Sequence, residues 1–112
     1  MSWTLIKGAQ IGEIPPTPTS LEETPQIDQA IASLKKIAYK YGIPTGYKQE
    51  QNGRLIQSIF PIQKSETSQI SSSSKVNLEL HTETAFHPHA PSHVILMCLR
   101  EDPTALTTFA HV

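Results

Sequence analysis

Leu78-Glu79-Leu80-His81-Thr82-Glu83-Thr84-Ala85-Phe86-His87-Pro88-His89 is the stretch on which the reading of this chain turns. Val76, Leu78 and Leu80 alternate with polar residues, the period-two pattern of a strand with one buried face. If the strand continues, His81 and Glu83 stand side by side on its opposite face. An imidazole and a carboxylate two residues apart are two of the three donors of the facial triad that holds non-haem Fe(II). The bland alternative is a solvated polar face on which the two side chains share a hydrogen bond, and H-x-E alone does not separate the two readings.

Residues around the pair narrow the choice. Leu78 to Glu83, then Ala85-Phe86-His87-Pro88, then Val94 to Arg100 ending in Met97-Cys98-Leu99-Arg100, and Thr107-Thr108 form one long pattern. From Leu78 to Val112 the sequence resembles the clavaminate synthase-like group of Fe(II)/2-oxoglutarate-dependent oxygenases, which includes arginine and asparagine β-hydroxylases. The resemblance implies an α+β, mainly β fold: a partial double-stranded β-helix, or jelly-roll, with an N-terminal helix packed on the sheet. It implies His81 and Glu83 as ligands of Fe(II), with 2-oxoglutarate as cosubstrate. In that family the second metal histidine and the arginine that pairs with the far carboxylate of 2-oxoglutarate lie well downstream. By resemblance, therefore, the chain covers the N-terminal part of a member and carries the first half of an active site.

The resemblance also implies a reaction. With O2, 2-oxoglutarate would be converted to succinate and CO2 while an unactivated carbon, Cβ of a free amino acid, is hydroxylated. Thr107 falls where a threonine hydroxyl contacts the 2-oxoglutarate carboxylate, with Thr108 as the neighbouring alternative. Two threonines placed for β-propensity would look the same. Gln51 falls where members use a glutamine or glutamate to hold the substrate. Ser71 and Ser72 fall where small hydroxyl residues contact its α-amino and carboxylate groups.

Composition bounds the remaining possibilities. The chain has 112 residues, a length suited to a single domain with a modest core. A net charge of −1 with mixed signs gives no electrostatic footprint for nucleic acid or an anionic membrane. The N-terminus lacks a basic region followed by a long apolar one, and the longest apolar run, Val94 to Leu99, is too short to cross a bilayer. The single cysteine, Cys98, lies inside that run and reads as a buried thiol in a reducing compartment. A cytoplasmic protein is expected.

The expected organisation is one partial oxygenase domain in three stretches. Residues 1–63 hold an N-terminal strand, a helix and a hairpin; 64–74 are a serine-rich loop; 75–112 are the first strands of the jelly-roll. Trp3 to Ile6 suits a short edge strand, and Gly12 to Ser20 is a connector punctuated by Pro15, Pro16 and Pro18. Its Pro-x-x-Pro pattern has no basic flank and reads as a rigid linker rather than a docking motif. The helix is read from Thr24 as N-cap and Pro25 as first residue, with Asp28 in the first turn. Ile27, Ile31, Leu34, Ala38 and Tyr41 form its apolar stripe. Lys35, Lys36 and Lys40 complement the C-terminal end of the dipole, and Gly42 suits a left-handed C-terminal position before Pro44.

Asn52-Gly53 between Tyr47–Gln51 and Arg54–Phe60 is a strong hairpin signal, closed by Pro61. Lys64 to Ser74 has no apolar period and reads as a mobile loop. His81, His87, His89 and His93 fall within thirteen residues. They lack the paired cysteines or the helical H-x-x-x-H of common zinc sites. His87 is read as structural, His89 and His93 as loop histidines, and Pro88 and Pro91 as stiffening that loop. A zinc module from His81, Glu83, His87 and His89 ranks last.

Val94 to Leu99 has the length of a central strand buried on both faces, followed by a turn at Arg100–Pro103 and another strand from Leu106. That strand ends the sequence in apolar residues, an exposed-edge liability. Truncation is therefore expected, or a second chain supplying the missing strands, histidine and arginine. The alternative to an active enzyme is a non-catalytic remnant or subunit that needs a partner chain.

Overall fold

The computed structural model describes residues 3–20, 23, 25–48, 53–61 and 87–108. By contact the chain divides into two compact units. One is made of Met1–Ile14, Ile27–Ile43 and Leu80–Val112; the other of Pro15–Gln26 and Pro44–Glu79.

The first unit contains helix α1, Asp28–Ala38. Its eleven residues are fewer than an isolated helix needs in water, so packing of one face has to stabilise it. Ala30 is its most deeply buried residue, only 2 % exposed. Ile27, Ile31, Leu34, Ile37 and Ala38 are half-buried on the same side, following the three-and-four spacing of a helical stripe. Tyr41, expected to extend this stripe, is exposed. Asp28 lies in the first turn, and Lys35 and Lys36 in the last, each where the helix dipole favours its charge.

The helix starts later than the sequence reading placed it. Ile27 is the capping residue, with φ −131° and ψ 41° and no side-chain cap. Its carbonyl accepts the first helical bond, from Ile31 N–H at 3.0 Å. Pro25 therefore precedes the helix instead of opening it. Thr24, the expected cap, lies outside the described residues. At the other end, Tyr39 keeps helical angles, and the N–H groups of Lys40 and Tyr41 donate to Ile37 and Ala38. Gly42 donates to the Ala38 carbonyl at 3.2 Å, but its φ of 159° is close to extended rather than left-handed helical. The helix thus unwinds through a tightened turn without the expected glycine cap.

Residues 10–14 are held beside the helix by small polar contacts. Ser33 Oγ donates to the Gln10 carbonyl, and the Gln29 side chain lies against Gly12. Arg100 Nη2 donates to the Ile14 carbonyl at 3.3 Å. Residues 3–6, expected as an edge strand, form none among the described residues.

The second unit contains a local turn ahead of the helix and a chain reversal. Thr19 Oγ1 donates to Glu23 at 2.6 Å, and Glu23 N–H donates to the Ser20 carbonyl at 3.3 Å. Further along, Gly46 approaches the backbone of Gly53 and Arg54 so closely that a Cβ there would collide with the Gly53 carbonyl oxygen. Gly53 takes φ +75°, the conformation the Asn-Gly reading requires. Residues 46 and 53 thus lie side by side, but the described flanks, 47–48 and 53–60, form no strand, and Asn52 lies outside the described residues. Phe60, 8 % exposed, is the buried side chain of this unit among the described residues.

Val94 to Leu99 departs most from expectation. It forms no strand among the described residues and is not buried on both faces. Ile95, Met97 and Leu99 are half-buried, whereas Val94, Leu96 and Cys98 are exposed. The buried thiol expected at Cys98 is therefore corrected to an exposed one. A continuous apolar run shows that both faces can be covered; it does not show that the covering layer lies in the same chain.

Candidate metal centre and its surroundings

His81 and Glu83 lie outside the described residues, as do Gln51, Ser71 and Ser72. The donor chemistry of the pair suits Fe(II), since imidazole and carboxylate are two of the ligand types of the facial triad. Among the described residues, no group of three histidine, cysteine, aspartate or glutamate side chains could hold a metal ion.

The described flank begins at His87. The chain turns over His87–His89, and His87 Nδ1 accepts the backbone N–H of His89 at 3.0 Å. This contact uses the imidazole as a local turn brace, much as an Asx side chain accepts an N–H two residues on. The two rings lie 5.9 Å apart at a tilt of 51°. Pro88 fixes the backbone between them.

His93 binds differently. Its Nδ1 lies 3.0 Å from Ser92 Oγ, and its ring packs against Tyr41 at 5.6 Å and 48°. The loop after the H-x-E stretch is thereby tied to the end of α1. Sequence spacing offered no signal for this pairing, because the partners are 52 residues apart. The Arg100 contact to Ile14 was equally invisible, being a side chain on a backbone carbonyl 86 residues away.

The expected turn at Arg100–Pro103 closes two residues later, where Ala105 N–H donates to the Asp102 carbonyl at 3.0 Å. Asp followed by Pro is the usual start of such a turn. Asp102 also accepts from Thr104 twice, from Oγ1 at 2.7 Å and from N–H at 2.9 Å. The Thr104 hydroxyl, and then its N–H, hold the Asp102 carboxyl below its ordinary range. Thr107 and Thr108 follow in an exposed stretch beside Leu106, 85 % exposed. The described part of the strand expected from Leu106 is not a strand.

No family model matches the chain, and no solved structure matches it. Curated proteins do. L-lysine 3-hydroxylase of Catenulispora acidiphila is 41 % identical over 105 residues, 92 % of this chain and 29 % of its own. L-asparagine oxygenase of Streptomyces coelicolor is 37 % identical over 94 residues, 81 % of this chain and 27 % of its own. Clavaminate synthase 2 of Streptomyces clavuligerus is 30 % identical over 106 residues, 89 % of this chain and 32 % of its own. These relatives are clavaminate synthase-like oxygenases, and the chain is homologous to them. It spans less than a third of the length of each of the three.

Proposed function

We propose that the chain is the N-terminal part of a non-haem Fe(II)/2-oxoglutarate-dependent dioxygenase that hydroxylates Cβ of a free amino acid or similar small substrate. The observation that carries this is the overlap of pattern and homology. A match over 92 % of the chain to L-lysine 3-hydroxylase includes residues 81–83, where the H-x-E donor pair stands. The relatives named for lysine, asparagine, and ornithine or arginine support an amino-acid substrate.

In this reading His81 and Glu83 hold Fe(II), which when bound supplies the activation of O2. Thr107 donates to a 2-oxoglutarate carboxylate oxygen, where an exposed hydroxyl can reach a ligand. Gln51, Ser71 and Ser72 hold the amino and carboxylate groups of the substrate and so orient its Cβ. Orientation by such groups, rather than strong ground-state binding, is what a protein contributes to cofactor chemistry. The distal histidine and arginine come from further polypeptide, completing a jelly-roll on which α1 packs. An exposed free thiol at Cys98 suits the reducing cytoplasm. Among the described residues no helix is long and apolar enough to cross a membrane. The second reading is a non-catalytic remnant or a subunit awaiting a partner chain.

The test is turnover after completion of the domain. The chain is fused to the part of L-lysine 3-hydroxylase outside the match and incubated with Fe(II), 2-oxoglutarate, O2 and L-lysine, L-arginine or L-asparagine. Mass spectrometry should show one added oxygen on an amino acid with matching succinate, lost in His81→Ala and Glu83→Ala. A folded, iron-loaded fusion that oxidises none of them would support the remnant reading instead.

A further inference from the structure

Tyr41 is placed by α1 but not used by it. Sequence spacing puts it on the apolar stripe of the helix, yet it is 43 % exposed. Its backbone is held all the same: the N–H groups of Tyr41 and Gly42 both donate to the Ala38 carbonyl, at 2.9 and 3.2 Å. What the ring meets is His93, at 5.6 Å between centroids and a tilt of 48°, within the tilted range that aromatic pairs favour. Ser92 Oγ lies 3.0 Å from His93 Nδ1, so the imidazole is oriented from its own side of the contact as well. Both partners belong to the same compact unit.

His93 closes a stretch with little conformational freedom. Pro88 and Pro91 fix two of its φ angles, and His87 Nδ1 accepts the His89 N–H at 3.0 Å. That stretch begins at His87, four positions after Glu83. Metal ligands have to be held to a fraction of an ångström, and residues outside the ligand set commonly supply that hold. We propose that Tyr41 is a positioning residue: through its contact with His93 it anchors the braced loop 87–93 to the end of α1, and so steadies the chain that leaves the His81–Glu83 donor pair. The inference rests on reading that pair as the iron ligands. It assigns Tyr41 and His93 no contact with iron, cosubstrate or substrate.

Two readouts test it, neither of them turnover. The first is NMR of the 112-residue chain. Tyr41→Leu should remove the ring-current shift of the His93 ring protons and speed exchange of the His89 amide roughly three- to tenfold, the weight of one aromatic contact. His93→Leu should speed that amide equally, and Tyr41→Phe, which keeps a ring, should leave it as in the parent. A His89 amide indifferent to both leucine variants would overturn the inference. So would loss of helical circular dichroism in Tyr41→Leu together with parent-like exchange in His93→Leu, because Tyr41 would then serve the helix alone. The second readout is anaerobic Fe(II) affinity, followed by the charge-transfer band with 2-oxoglutarate, in the fusion to the unmatched part of L-lysine 3-hydroxylase. Each leucine variant should bind iron roughly tenfold more weakly, as loss of a supporting residue does. The double variant should bind it no more weakly than either, since the same contact is lost in all three. Parent-like affinity in both single variants of a fusion that binds iron contradicts the positioning role and leaves the proposed function intact. A parent fusion that takes up no iron removes the proposed function and the positioning role with it.

Discussion

Asp102 and Thr104 form a doubly hydrogen-bonded pair. One carboxylate oxygen accepts both the hydroxyl and the N–H of Thr104. Because these bonds favour the ionised form, the folded carboxyl lies below its unfolded value of about 3.9. The stabilisation is therefore complete above that unfolded value and is lost as the pH falls through the lower folded one. Thr104→Ala should move the Asp102 titration, followed by carboxyl NMR, back up towards the ordinary value. A titration unchanged by the substitution would remove Thr104 as its cause. Glycines give a second residue-scale prediction. A Cβ at Gly46 meets backbone, which cannot swing aside, whereas at Gly53 it would meet only ordinary contacts of 3.8–4.0 Å and the positive φ is what resists. Gly46→Ala should cost about 1–3 kcal/mol in urea unfolding, as overpacking does. Gly53→Ala should cost nearer ~1 kcal/mol. Equal effects would contradict the close approach.

At the scale of elements, α1 is where sequence periodicity was most informative. Ile27, Ile31, Leu34 and Ala38 fall on the half-buried face as the spacing indicates. Yet Ala30 is the residue that face buries most deeply, and its small side chain gave no hydrophobic signal. Ala30→Leu should destabilise by about 1–3 kcal/mol despite the good helix propensity of leucine, measured as a lower urea midpoint of the helical signal. A rise in that midpoint would mean that the face has room. The N-terminal boundary was misread because Pro25 fits a first helical position, while the chain actually enters through an uncapped Ile27. The positive φ at Gly53 was legible, since it is a conformation that glycine adopts easily; Asn52 lies outside the described residues. The exposure of Cys98 was not legible, because an apolar run carries no record of which polypeptide covers it.

At the scale of the molecule, the chain presents helix α1 and a turn-braced histidine loop, and most of its length is homologous to clavaminate synthase-like oxygenases. Its homology to clavaminate synthase-like oxygenases was legible from Leu78 to Val112, because the H-x-E pattern, the apolar run ending at Arg100 and Thr107-Thr108 occur there together. Gln51, Ser71 and Ser72, proposed as substrate-holding residues, lie outside the described residues. The most direct measurement is an anaerobic titration of Fe(II) into the purified chain with 2-oxoglutarate, following the visible charge-transfer band of the chelate. With two ligands of three, the account predicts a weak band that needs millimolar-range metal, on the order of a partial site, and that disappears in His81→Ala. A band that survives His81→Ala, or none at any iron concentration, would contradict the assignment of His81 and Glu83 as the iron-binding half-site.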